Sequence, residues 1–195
     1  MSKYLTLHSP CEGIYKEKMS KFLAFAFPVE SAAEAKAAIA SYQKKYFDAR
    51  HVCWAYMIGS DRKEFLSSDN GEPSGTAGKP ILGQINSFGL TNVCIVVVRY
   101  FGGIKLGTSG LIVAYREAAR EAISAGEIIE RQDMSEVSFT FPFLAMNDVM
   151  RLIKNTSPEI VSQIFDNSCE MTLRLPADSV EEMKSRLADI DGVTL

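Results

Sequence analysis

The segment from Ser68 to Pro80 concentrates residue types that can do chemistry, with carboxylates at Asp69 and Glu72 and an amine at Lys79. A glycine or proline at nearly every second or third position dictates a specific backbone path. Two carboxylates three residues apart can form an acid/base pair or part of a divalent-cation site. A lysine and hydroxyls next to a helix start instead favour the binding of an anion.

A second glycine-rich loop, from Arg99 to Gly110, follows about twenty residues later and also leads into a helix. Helix starts present unpaired backbone N–H groups, so two such loops predict one composite anion-binding surface. The candidate binding residues are the cationic and hydroxyl side chains of both loops: Thr76, Lys79, Arg99, Lys105, Thr108 and Ser109. The glycines that shape the loops are Gly71, Gly75, Gly78, Gly102, Gly103 and Gly107.

An alternative is that these charges pair with one another inside the protein. Lys79 and Arg99 would then neutralise Asp69 and Glu72, and the sequence leaves open whether the two acids converge. Asp69 and Glu72 are the only catalytic candidates, and they are weak ones because no nucleophile lies next to a base. If the surface binds an anion, we expect Lys79→Ala and Arg99→Ala to weaken binding without unfolding the chain.

Several common sites are not indicated. A P-loop needs glycine and Ser/Thr where Pro73 and Pro80 stand, and the GxGxxG spacing of a dinucleotide site is missing after the strand that ends near Arg99. His51 and Cys53 would make only two ligands of a metal site, so we expect no metal and no cofactor, and a hydrogen-bonded His51 at a sheet rim. Tyr100, Phe101 and Tyr115 are candidates for stacking on a base or a partner residue, or core residues.

The elements that position these loops follow from hydrophobic periodicity. The first part of the chain predicts strands at 20–28, 51–58, 64–67 and 91–100. It also predicts helices at 32–46, 77–87 and 109–125. Ser31 and Glu34 have the spacing of a capping box, and Gly126 is a typical helix terminator. The apolar run in 91–100 is typical of a central strand covered by helices.

The pattern restarts beyond a polar connector at 127–135. Strands are predicted at 137–141, 160–165, 169–175 and 193–195, with helices at 144–154 and 178–190. This βαββαβ order is ferredoxin-like. We therefore predict an α+β protein of two domains, a βαβ-containing domain over 1–130 and a ferredoxin-like domain over 131–195.

Composition indicates an ordinary globular protein of 195 residues with net charge -3. The charge is uneven, since residues 136–195 hold five Lys/Arg against ten Asp/Glu, which assigns any anion-binding role to the first part. The chain shows no export signal, and its apolar runs are too short to span a membrane. The four cysteines are far apart, which favours reduced thiols and a cytoplasmic location.

The two loops together resemble the IMPACT family, in particular its bacterial YigZ-like branch. The resemblance is carried by the segments 68–80 and 96–107, and the Asp-Ala-Arg-His segment ending at His51 fits as well. This chain departs from the family pattern at two positions, with Asn70 in place of aspartate and Ser109 in place of glycine.

The resemblance implies more than the spacing shows. The first domain would be similar to the second domain of a small-subunit ribosomal protein, and the second domain to the last domain of the translocating elongation factor. Eukaryotic members act in translational control, and nucleic-acid or ribosome contact is the usual suggestion for bacterial members. A proline-dipeptidase label also occurs among relatives, but this chain lacks the ligands that a two-metal peptidase requires.

Three functions remain open on these grounds. The leading one is a non-catalytic cytoplasmic protein linked to translation, which binds RNA or a ribosome-associated protein on the loop surface. The second is an enzyme that acts on a phosphorylated or acidic small molecule, with Asp69 or Glu72 as acid/base. The third is a protein-interaction module whose acidic ferredoxin-like domain docks a basic partner.

Overall fold

The computed structural model of the protein describes residues 3–195. The first part of the chain contains strands β1 (Lys3–Leu7), β2 (Cys11–Glu17), β3 (Ser20–Pro28), β4 (His51–Ile58), β5 (Glu64–Ser68), β6 (Val93–Tyr100) and β7 (Ile128–Gln132). Its helices are α1 (Ala32–Lys45), α2 (Gly78–Ser87) and α3 (Gly107–Ser124). The remainder contains β8 (Met134–Phe141), α4 (Met146–Thr156), β9 (Glu159–Phe165), β10 (Cys169–Pro176) and α5 (Val180–Ala188).

A five-stranded antiparallel sheet with the order β2-β3-β6-β4-β5 organises the first part. Strand β6 lies in its centre, and seven of its eight residues are buried. The predicted central strand is therefore confirmed, because an apolar run without alternation must be covered on both faces.

Helices cover both faces of this sheet. Helix α1 packs on one face, where Ala35 and Ile39 join a buried cluster with Val96 and Val98. Helices α2 and α3 pack on the other face, where Ile81 and Tyr115 join the larger cluster. The sheet is thus the middle layer of three, and its strand ends hold the loops.

Helix α1 begins as its sequence predicts. The Ser31 hydroxyl accepts a hydrogen bond from the backbone N–H of Glu34 at 3.1 Å. The Glu34 carboxylate reaches back one residue further than in a standard capping box, because it accepts from the N–H of Glu30 at 2.7 Å.

Three strands were not predicted from the sequence. Strand β2 alternates between intermediate and exposed residues and therefore shows weak hydrophobic periodicity. Strands β1 and β7 pair with each other in a two-stranded sheet, although β7 occupies most of the predicted polar connector. Their pairing joins segments more than one hundred residues apart, which local patterns do not reveal.

The last part of the chain has its own three-stranded antiparallel sheet with the order β8-β10-β9. A bridge between Thr140 and Thr194 adds the last residues next to β8. Together they give the strand order of a ferredoxin-like sheet, with the fourth strand reduced to that bridge. Its core holds Phe139, Leu152, Leu173 and Leu187.

The chain divides into two compact units, one formed by residues 4–131 and the other by residues 132–195, with Lys3 grouped with the latter. Each unit contains both helices and strands and has buried clusters of its own. The protein is therefore an α+β protein with two domains.

Candidate functional site

The register of the five-stranded sheet brings the two glycine-rich loops together. His51, the first residue of β4, pairs with Arg99 near the end of β6. The loop that follows β5 places Glu72 against the same strand end, with Nη1 of Arg99 2.6 Å from Oε1 of Glu72. Segments 69–79 and 99–109 therefore meet in the folded protein.

Glu72 is the centre of a buried hydrogen-bond network, and its side chain is only 3% exposed. Its Oε1 accepts hydrogen bonds from Nη1 of Arg99 and, at 2.7 Å, from the hydroxyl of Tyr115. Nε2 of His51 lies 3.9 Å from its other oxygen. The internal pairing of Arg99 with Glu72, left open by the sequence, is thus present.

Arg99 is held between two aromatic rings. Its guanidinium carbon lies 5.7 Å from the ring centroid of Phe22 and 5.6 Å from that of Phe101. Arg99 is 7% exposed, and its Nε has no hydrogen-bond partner within residues 3–195. A buried donor without a partner is costly, so one further hydrogen bond from this group would stabilise the site.

His51 lies at the sheet rim, as predicted, and is hydrogen-bonded. Its Nδ1 lies 2.9 Å from the carbonyl oxygen of Asn70. A carbonyl can only accept, so Nδ1 carries a proton in this arrangement. Across residues 3–195, no group of three or more His, Cys, Asp or Glu side chains could hold a metal ion.

Asp69 caps helix α2 from inside the protein. Its two carboxylate oxygens accept hydrogen bonds from the backbone N–H groups of Gly75, Ala77 and Gly78 at 2.8–3.0 Å. Burial alone would raise the pKa of Asp69, but these N–H donors and the charge of Lys79 outweigh burial and lower the pKa. Asp69 therefore acts as the anion at this helix start.

This capping corrects the predicted role of the first loop. Asp69 already accepts from the N–H groups of Ala77 and Gly78 at the helix start near Thr76, which leaves fewer N–H groups there for an external anion. Thr76 is 3% exposed, and its hydroxyl donates to the carbonyl of Pro73. Lys79 is exposed and does not line the cleft described below.

A cleft of about 410 Å³ lies between the two loops at the start of α3. Helix α3 receives no side-chain cap from its N-cap residue, Leu106, and the residues at its start, Leu106, Gly107 and Thr108, line this cleft. The cleft is lined by Arg50, His51, Glu72, Pro73, Arg99, Phe101, Lys105, Leu106, Gly107, Thr108 and Leu111.

The predicted residues of the second loop divide between two hollows. Lys105 and Thr108 line the cleft with Arg99, whereas Ser109 lines a neighbouring hollow of about 270 Å³ with Tyr15 and Lys18. The cleft contains three cationic side chains against the single carboxylate of Glu72, which gives it an excess of two positive charges with His51 neutral.

The two carboxylates that are the acid/base candidates are both engaged by groups of the protein itself. The Asp69 carboxylate is engaged by backbone N–H groups, and Glu72 is buried against Arg99 and Tyr115. Burial raises the pKa of the Cys53 thiol to about 12, so it remains a protonated thiol that donates to the Asp69 carbonyl.

Tyr115 is not available for stacking on a ligand. It is fully buried and meets Phe22 edge to face, with ring centroids 5.1 Å apart. Burial also raises the pKa of its hydroxyl, which keeps it a hydrogen-bond donor to Glu72. The core interpretation of Tyr115 is the one the structure supports.

Sequence reasoning missed several residues that line the cleft. Arg50 immediately precedes β4, and its place in the Asp-Ala-Arg-His segment that ends at His51 was the signal that could have singled it out. Pro73, Leu106 and Leu111 form apolar walls of the cleft, although nothing in the sequence distinguished them from ordinary turn or helix residues.

The loop glycines serve two purposes: Gly78 and Gly102 permit close packing, whereas Gly71, Gly75, Gly103 and Gly107 adopt the positive φ that favours glycine. A Cβ on Gly102 would overlap the backbone of Met19, and one on Gly78 would lie 2.8 Å from the backbone nitrogen of Ser68.

Within residues 3–195, no helix is long and apolar enough to cross a membrane.

Comparison with known proteins gives a consistent result. A model of the Impact N-terminal domain matches residues 18–123. The chain is 31% identical over 197 residues to the IMPACT family member YigZ of Escherichia coli (strain K12), and the matched region covers 100% of this chain and 97% of the relative. It is also 31% identical over 191 residues to an IMPACT family member of Haemophilus influenzae (strain ATCC 51907 / DSM 11121 / KW20 / Rd), covering 97% of this chain and 93% of the relative. A crystal structure described as that of an hypothetical protein is similar with a TM-score of 0.71 and 30% identity, covering 97% of this chain and 93% of that one.

Proposed function

The chain belongs to the IMPACT family, and we propose that it is a non-catalytic cytoplasmic protein that binds the phosphate backbone of RNA in the cleft between its loops. The observation that supports this most directly is the meeting of the two loops around an uncapped helix start. Exposed Arg50 and Lys105 stand at that cleft without an ion pair to any described residue. Backbone N–H groups and cations together are what phosphate groups require.

A contrast between the two helix starts strengthens the proposal. The start of α2 is neutralised by Asp69, whereas the start of α3 receives no side-chain cap. Both loops are glycine-rich and both precede a helix, yet the cleft with the excess positive charge lies only at α3.

A link to translation is supported by family membership. The resemblance implies translational control for eukaryotic members, and RNA binding near the ribosome would be consistent with such a role. The acidic second domain would oppose RNA binding, so the proposal assigns the contact to the first domain.

The proposal is tested by fluorescence anisotropy with a labelled RNA hairpin across a series of salt concentrations. We expect the affinity for RNA to fall as the salt concentration increases, because the Lys and Arg side chains of the protein displace the counterions of the phosphates when RNA binds. Lys105→Ala and Arg50→Ala should each weaken binding and reduce the slope of log affinity against log salt by about 0.7–0.9, the value for one lost phosphate contact.

The matched control is Lys79→Ala. Lys79 is also an exposed lysine at a glycine-rich loop but does not line the cleft. Its removal should leave the affinity and the salt slope close to those of the unchanged protein. Equal effects of Lys79→Ala and Lys105→Ala on RNA affinity would contradict the proposed site. An affinity that does not change with salt concentration would contradict it as well.

A further inference from the structure

Phe101 forms an exposed aromatic platform at the cleft. It follows Arg99 by two residues and is 53% exposed. The Arg99 guanidinium lies over its ring at 5.6 Å and is itself held by Phe22 and by Glu72. The ring is therefore supported by a buried group while much of its surface remains in solvent.

A phosphate ligand alone does not account for the apolar residues that line the cleft. Pro73, Leu106 and Leu111 line it beside Phe101, and a phosphate group gains nothing from contact with such apolar side chains. Leu111 is buried, so its apolar surface is built into the floor of the site. A ligand that fits the whole cleft combines a flat apolar part with an anionic part.

The polar groups of the cleft are arranged for the anionic part. Lys105 and the first residues of α3 line the cleft together with Arg99, whose guanidinium is more than nine-tenths buried and has an unpartnered Nε beneath the surface. The volume of about 410 Å³ falls in the range of sites that hold a small organic molecule rather than a bare ion.

We propose that the cleft holds one unstacked nucleotide of single-stranded RNA, with its base on Phe101 and its phosphate at the start of α3 beside Lys105. This inference rests on the proposed function and specifies the form of RNA that is bound. Aromatic rings accept bases of single strands, whereas the bases of a duplex are stacked and paired and cannot enter such a cleft.

The test uses the full-length protein and a labelled twelve-residue oligoadenylate, compared with the same strand in a duplex with oligouridylate. We expect the single strand to bind more tightly than the duplex. Phe101→Leu should weaken binding of the single strand about tenfold, with the salt slope unchanged, since the lost contact is stacking and not charge. Phe101→Trp should bind at least as tightly as the unchanged protein.

Two further measurements separate stacking from loss of folding. Phe47→Leu replaces an 84% exposed phenylalanine outside the cleft and should leave binding unchanged. An oligoadenylate carrying a central 2-aminopurine should gain fluorescence when it binds the unchanged protein, because the analogue leaves the stack of neighbouring adenines that quenches it, and the gain should be smaller with Phe101→Leu.

The outcomes distinguish this inference from the proposed function. If duplex and single strand bind equally, or Phe101→Leu is silent while Lys105→Ala weakens binding, the nucleotide proposal is wrong and backbone binding stands. If neither RNA binds at any salt concentration, both proposals fail.

Discussion

The Asp69 carboxylate shows how a single residue can decide which of two similar loops remains open. It accepts three backbone hydrogen bonds at the start of α2 and thereby takes the place that an external anion would occupy. Neither Ala77 of α2 nor Leu106 of α3 caps its own helix through its side chain, so the difference lies in the remote carboxylate of Asp69. One acid thus makes the first loop structural and leaves the second loop available for a ligand.

Replacing Asp69 by asparagine should destabilise the protein at neutral pH by about 1–3 kcal/mol, because the amide removes the charge and turns one of the two accepting oxygens into an NH2 donor that faces a backbone N–H. The folded pKa of Asp69 is lowered, so its stabilisation is complete above the unfolded pKa of about 3.9 and is lost as the pH falls through the folded value. The difference between Asp69→Asn and the unchanged protein should therefore shrink below about pH 4.

Urea denaturation at pH 7, 5 and 3 measures this difference. Glu121→Gln serves as the control, because Glu121 is an exposed carboxylate in the same unit. A destabilisation by Asp69→Asn that stays constant down to pH 3 would show that the charge of Asp69 does not stabilise the helix start.

At this scale, the sequence predicted which residues meet but not what each one does. Arg99 and Glu72 carry the type and the charge expected of an internal pair, and the structure joins them at 2.6 Å. The capping role of Asp69 could not be predicted from the sequence, because Asp69 lies eight or nine residues before the N–H groups that it caps, outside any local capping pattern. Arg99 is also a poor choice for a binding variant, since its removal leaves Glu72 buried and unpaired.

Elements with strong periodicity were predicted closely, and elements defined by distant pairing were missed. Strands β3 and β4 have the predicted bounds, and α2 differs by one residue at its start. Strands β1 and β7 were missed because each is short and stabilised by the other across the chain. The cleft likewise depends on the pairing of distant segments, since it forms where the start of β4 lies beside the end of β6.

Two glycine substitutions should have opposite effects because their surroundings differ. Gly102→Ala should destabilise the protein by about 1–3 kcal/mol, since its Cβ would overlap the backbone of Met19 and force the segment before β3 to move. Gly83→Ala should stabilise it by up to about 1 kcal/mol, because Gly83 lies inside α2 with open space around it and alanine favours the helix.

Thermal unfolding followed by circular dichroism compares the two variants directly. Since both add a single methyl group, the opposite signs would come from the space around each site and not from composition. Equal shifts in the same direction would contradict the close approach of Gly102 to Met19.

At the scale of the whole molecule, charge and packing divide the chain in the same region. The first unit has a slight excess of basic residues, and residues 136–195 hold twice as many acids as bases. The buried clusters follow the same division, since the one that contains Leu173 draws only on residues of the second unit. Composition alone predicted this charge difference, because it needs no knowledge of contacts.

Separate cores predict that the two units unfold in separate transitions. Leu173→Ala removes a fully buried side chain from the second unit, and Ile95→Ala does the same in the first. Each substitution should cost about 2–5 kcal/mol, which is enough to lower the melting temperature of its own unit by about 5 °C or more, with the larger shift in the shorter second unit. Differential scanning calorimetry should show two transitions, each lowered by only one variant, with the shorter second unit melting first because a small domain buries a smaller share of its surface. A single transition that both variants lower equally would mean that the two cores unfold as one cooperative unit.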